Sequence, residues 1–224
     1  RHRRGGGEGE DAHLIMANTI HIDIVSAEGE LHSGEATMVF APASGGEIGI
    51  ATVFNLLGPM ANPGRVRRQL IGVANPAVAE RMLASLRLHG SQRAWVVHGG
   101  GLDELTTTGT STVLALDDDN VRTFTVDPVA LGFAPAIPDE LVGGTPPHNA
   151  EVVRRVLKGE HGAHRNIVLL NAAAGLVVAG ATESLEEAVV IATSSIDEGH
   201  AARILDRWIH ESQVVMADLQ SDQS

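Results

Sequence analysis

The sequence predicts an α/β fold, and three observations carry that prediction. A strand-like run, a helical stretch and a second strand-like run follow one another over residues 68–99. Two more strand-like runs flank the acidic turn Asp117-Asp118-Asp119. From residue 149 onward the remaining segments read as helices.

Taken in order, residues 1–13 (RHRRGGGEGEDAH) are charged and Gly-rich and are expected to be disordered. TIHIDIVS (19–26) alternates apolar and polar residues, as a half-buried strand does. ATMVFAP (36–42) reads as a second strand stopped by Pro42, and ASGGEIG (43–49) as a turn. ATVFNLLGPMANPGR (51–65) begins like a strand or short helix and breaks at Gly58-Pro59 and Asn62-Pro63-Gly64.

RQLIGVA (68–74) is the next strand. Asn75-Pro76 suits an N-cap and first helical position, and residues 76–88 carry apolar side chains at helical spacing. RAWVVHG (93–99) is a nearly continuous apolar run, the mark of a strand buried on both faces. STVLAL (111–116) and NVRTFTV (120–126) form a hairpin around a solvated Asp turn, which lacks the Gly and distal Glu of a calcium loop. A Pro- and Gly-rich loop covers 132–147. Helices are expected over 149–158, 165–180, 184–196 and 200–212, with Ser184 and Glu187 as a capping box and Gly199 between the last two.

Composition excludes several classes. With 224 residues the chain is long enough to bury a real core, and 43% hydrophobic with 20% charged is ordinary for a globular protein. A net charge of −12 argues against non-specific nucleic-acid or anionic-membrane binding, and 3% aromatic residues leave few stacking platforms for single strands. The chain has no cysteine, so disulfides, thiol nucleophiles and cysteine metal sites are excluded; this fits a cytoplasmic protein. No apolar run reaches the roughly 18 residues of a membrane span, and the longest apolar stretch, 166–181, reads as a buried core helix around Asn171. The basic N-terminus has no apolar region of a secretory signal.

The chemistry concentrates in VHGGGLDELTTTGTS (97–111). Three glycines follow a strand, and then two carboxylates, Asp103 and Glu104, stand side by side. Ligands of open α/β sheets bind beyond the carboxyl ends of strands. Such a pair is either solvated or holds a hard cation such as Mg²⁺, which sits on one or two carboxylates plus substrate phosphates. His98 reads as structural, and His161 and His164 as surface residues without a third ligand. Arg65, Arg67 and Arg68 read as a solvated basic turn.

TVFNLLGPMANPGRVRRQLIGVANP, VVHGGGLDELTTTGTS and VLLNAAAGLVVAG, in that order and spacing from about Gly49 to Glu211, resemble the anthranilate phosphoribosyltransferases of tryptophan biosynthesis. The resemblance implies an α/β domain with a mixed sheet flanked by helices, related to pyrimidine nucleoside phosphorylases. It implies transfer of phosphoribosyl from phosphoribosyl diphosphate to anthranilate with release of pyrophosphate. It assigns Mg²⁺ to Asp103 and Glu104; Gly99, Gly100 and Gly101, which let the backbone approach a bulky diphosphate, are read as substrate-binding, and no catalytic side chain is expected. It also implies a homodimer if a helical domain is supplied. The family's GTGGD and KHGNR motifs, and the Arg that contacts anthranilate, have no match in residues 1–48. That segment is therefore set apart from an α/β domain over 49–224, and the activity is expected to be impaired in this chain. The alternative is a non-catalytic module that binds Mg-diphosphate or nucleotide.

Overall fold

The computed structural model describes residues 17–25, 31–39 and 66–221. The expectations for residues 1–13, 43–49 and 51–65 lie outside the described residues. The described strands form one six-stranded sheet in the order β1-β2-β3-β4-β5-β6: Ala17–Val25, Leu31–Val39, Arg68–Gly72, Arg93–His98, Ser111–Asp117 and Asn120–Val126. The sheet is mixed. β2, β3 and β4 run parallel, while β1–β2, β4–β5 and β5–β6 are antiparallel. The strands β1 and β2, inside the segment that the sequence sets apart, thus pair into the same sheet as β3.

The helices are α1 (Ala79–Leu88), α2 (Pro146–Leu157), α3 (Ala163–Ala179), α4 (Leu185–Asp197) and α5 (His200–Ser221). β3 and β4 are joined through α1, preceded by a 3₁₀ turn over Pro76–Val78. Asn75 caps that turn as its sequence position predicts: its side-chain oxygen accepts from the Ala77 N–H at 3.0 Å.

The side-chain period of two along the strands builds a core on each face. Ile71, Ala94, Val96 and Leu116 point one way and pack with Met82, Leu83 and Leu86 of α1. Leu70, Trp95, Val97, Val113 and Ala115 point the other way, against Leu170, Ala173, Ala174, Val177 and Val178 of α3 and Ala188 and Ala192 of α4. Small residues on α3 let this helix lie close to the sheet. Its C-terminus is held by two strand-borne cations. Arg93 donates to the Val177 carbonyl at 3.1 Å and to Glu183 at 3.0 Å, and Arg68 donates to the Ala179 carbonyl. Both guanidiniums meet the negative end of the helix dipole.

Arg68 therefore corrects the sequence reading of a solvated basic turn. The chain at 68 is already a strand, and the side chain reaches a helix end 111 residues away. Two further differences are local. α2 begins at Pro146, inside the segment read as loop, because proline is well placed in a first helical turn where its missing N–H costs nothing. At α4, Ser184 accepts from the Glu187 N–H at 3.3 Å, but the Glu187 carboxylate takes the Thr182 hydroxyl at 2.5 Å; half of the expected capping box forms.

Candidate functional site

β4 ends at His98, and the next residues turn back sharply. Gly99 and Leu102 exchange two backbone hydrogen bonds, N–H to O, of 3.1 and 3.0 Å. The two residues between them, Gly100 and Gly101, have φ of 59° and 97°. Positive φ at both central positions is the demand of a type I′ turn, and glycine meets it without strain. The turn lifts the chain over the carboxyl end of the sheet and returns it at Asp103.

There the backbone lies against the strands. A Cβ on Gly72, the last residue of β3, would overlap the Asp103 carbonyl, and one on Gly99 would overlap the Glu104 carbonyl. The acid pair is thus seated directly on the ends of β3 and β4. Beyond it, Asn171 of α3 grips the chain at Leu105: its Oδ1 accepts from the Leu105 N–H at 3.0 Å, and its Nδ2 donates to the Leu105 carbonyl at 2.8 Å and to the Ile167 carbonyl at 3.0 Å. Leu105 is fully buried. Ser111 Oγ accepts from the Thr106 N–H at 2.9 Å, and the Thr106 and Thr108 hydroxyls lie 2.8 Å apart. His98 lies 2.8 Å, through Nδ1, from the Val73 carbonyl and ties β4 to the residue after β3.

The electrostatics follow from this seating. Asp103 and Glu104 are partly buried. Burial pushes the Asp103 carboxyl above its ordinary range, against a smaller lowering by its own backbone N–H. Burial raises Glu104 as well, and the neighbouring Asp103 charge adds to it. No described ion pair involves either residue. Two adjacent anions in a partly dry place, with no cation from the described residues, form an oxygen donor set suited to a hard divalent ion. No third acidic or imidazole group joins them among the described residues. That suits Mg²⁺, which completes its shell with substrate oxygens and water.

Gly99, Gly100, Gly101, Asp103 and Glu104 lie in one turn that follows β4. Gly72, Asn171 and Ser111 hold this loop in place. Their signals were present but unreadable: a glycine ending a strand, one amide inside the apolar run IVLLNAAAG, and a serine opening β5. His161 and His164 lie elsewhere, at the start of α3. No described helix is long and apolar enough to cross a membrane.

A mixed sheet with helices on both faces, and an acid pair at the carboxyl end of a central strand, defines an α/β domain of the kind whose ligands generally bind beyond the carboxyl ends of the strands. The chain belongs to the glycosyl transferase family, a/b domain, which matches residues 17–202. It is 47% identical over 163 residues to the anthranilate phosphoribosyltransferase of Phenylobacterium zucineum, covering 73% of this chain and 48% of that protein. It is 49% identical over 164 residues to the enzyme of the same name from Methylobacterium nodulans, covering 73% and 49%. The chain therefore spans about half the length of the curated relatives that it matches. Among solved structures it is similar to anthranilate phosphoribosyltransferase from Thermus thermophilus, with a TM-score of 0.67, 38% identity, and 73% and 49% of the two chains covered. It is also similar to the Saccharomyces cerevisiae enzyme in complex with PRPP and Mg, with a TM-score of 0.67, 28% identity, and 73% and 48% covered.

Proposed function

We propose that this chain carries the metal-and-diphosphate half of an anthranilate phosphoribosyltransferase site, in which phosphoribosyl passes from phosphoribosyl diphosphate to anthranilate and pyrophosphate leaves. The observation that carries this reading is the partly buried Asp103-Glu104 pair, without a cationic partner among the described residues, on the carboxyl ends of β3 and β4. Asp103 and Glu104 would hold Mg²⁺, which as a Lewis acid neutralises the charge that grows on a departing diphosphate. The bare Gly99–Gly101 turn leaves room for a bulky diphosphate beside that ion. The two short backbone bonds of the turn, with Asn171 below it, fix the carboxylates before the ligand arrives, so little ordering is left to the moment of binding.

No side chain of this chain is proposed as nucleophile, because the attacking amine belongs to anthranilate. A cytoplasmic location, and a homodimer if a helical domain is supplied, accompany the reading. The test is a fluorescence assay. The chain is mixed with anthranilate, phosphoribosyl diphosphate and Mg²⁺, and anthranilate emission is followed. With the anthranilate-contacting Arg and the family's diphosphate motifs unmatched in residues 1–48, emission should fall only slowly, and Asp103→Ala/Glu104→Ala should abolish the fall. A folded chain that binds Mg²⁺ and pyrophosphate but leaves the emission constant would replace transfer by the binding-only role.

A further inference from the structure

β6 ends the sheet on one side, and its outer edge is bare. The two residues Asp118 and Asp119 join β5 to β6, so Asp117 and Asn120 form the bonded pair that closes the hairpin. Bonded and non-bonded pairs then alternate along the ladder. Asn120, Arg122, Phe124 and Val126 spend their main-chain groups on β5. Val121, Thr123 and Thr125 turn theirs outward, where no described residue bonds to them. All three are exposed, Val121 at 50%. Natural sheet edges are blunted by a bulge, a proline, a charge or a covering element. β6 pairs one to one with β5 over seven residues, holds no proline, and turns outward only uncharged, β-branched residues. Its one charge, Arg122, lies over the Phe124 ring at 4.8 Å and does not guard the edge.

We propose that this edge docks a second copy of the chain, whose own β6 adds antiparallel to it about a two-fold axis at Thr123. In that register Thr123 meets Thr123, and Val121 meets Thr125 on each side of the axis. Every outward main-chain group then gains a partner. Arg122 stands opposite Phe124 of the second copy, where a guanidinium is attracted to the face of the ring. An axis at Arg122 would set that charge against itself, which is repulsive. An axis at Phe124 would carry Val121 past the end of the facing strand. The strand is thus complementary to itself in one register, and this singles out a second copy as the occupant. The strand ends limit the strength. Asp119 approaches Asp127 of the second copy, and only Asp119 is already neutralised, by Arg87 at 2.9 Å. With that repulsion, a charge of −12 on each copy and a single strand of contact, the pair belongs with small, transient interfaces. The inference does not depend on the transferase reading.

The test uses the full chain in sedimentation equilibrium, in about 0.3 M NaCl to screen the repulsion between copies. A monomer–dimer equilibrium with a Kd of about 100 µM or tighter is expected. Amide hydrogen exchange locates the contact. The Val121, Thr123 and Thr125 amides should slow as concentration rises, whereas those of Arg122 and Phe124, already bonded to β5, should be protected throughout. Thr123→Lys sets two like charges at the axis and should weaken association about fivefold or more. Thr123→Pro removes an N–H that the monomer leaves unbonded, as an edge strand tolerates, and should weaken it as well. Thr123 is exposed, so both variants should keep the fold, and Tm checks this. A chain still monomeric at about 500 µM would overturn the proposal. So would a dimer undiminished in either folded variant, or concentration-dependent protection confined to other segments.

Discussion

Two acidic turns stand at opposite ends of the β4–β5 pair. Register shows it: His98 faces Thr112 at one end, and Arg93 faces Asp117 at the other. The Asp117-Asp118-Asp119 turn holds three carboxylates, and two of them are paired. Asp117 accepts from Arg93 at 3.1 Å and Asp119 from Arg87 at 2.9 Å, with the Asp119 side chain 90% exposed. The Asp103-Glu104 turn holds fewer carboxylates, partly buried and without a described ion pair. The number of acidic residues thus says little about function. What separates the two turns is whether the protein itself supplies the countercharge.

The largest expected effect that sharpens this contrast is on the seat of the loop. Gly72→Ala would drive a methyl into the Asp103 carbonyl, where backbone meets backbone and neither can swing aside. Urea unfolding should show a loss of roughly 3 kcal/mol, the upper part of the overpacking range. A loss under about 0.5 kcal/mol would mean that the loop is free to move off β3. Asn171→Ala comes next. It strands a buried N–H and carbonyl of Leu105, at roughly 1–3 kcal/mol, and should also weaken Mg²⁺-dependent diphosphate binding; Asn171→Asp should not restore the fit, since it cannot donate to the Leu105 carbonyl when ionised.

A smaller effect has the opposite sign. The folded state raises both site carboxyls above their unfolded values, so it binds more protons than the unfolded chain in the window between the two. Stability falls as pH rises through that window. Asp103→Asn/Glu104→Gln should therefore raise Tm at pH 7–8 in EDTA and lose that advantage at pH values below the ordinary carboxylate range. The smallest effect belongs to the other turn. Asp119→Asn removes an exposed ion pair and should change stability by about 0.5 kcal/mol or less.

Much of this fold was legible in the sequence. The apolar run RAWVVHG demanded a strand covered on both faces, and α1 on one side with α3 and α4 on the other cover it. Asn75-Pro76, the β5–β6 hairpin and the helix around Asn171 likewise follow from local chemistry that one segment carries by itself. The acid pair and glycines were legible as residues, though not their burial. What stayed hidden joins distant segments. Nothing near Arg68 announces a helix C-terminus 111 residues on, and nothing near Leu105 announces an amide 66 residues on. Gly72 looked like a plain strand residue because the need for a missing Cβ arises from the loop that crosses it.

The proposed role of the Asp103-Glu104 pair, which the Asp117–Asp119 turn does not share, is to take a metal diphosphate. Calorimetric titration of the chain with pyrophosphate in Mg²⁺, and again in EDTA, tests it most directly. Binding should need Mg²⁺, fall about 100-fold or more in Asp103→Ala/Glu104→Ala, equivalent to roughly 2.7 kcal/mol, and persist in Asp118→Ala/Asp119→Ala. Equal affinity in the wild type and the Asp103→Ala/Glu104→Ala variant, or binding indifferent to EDTA, would contradict it.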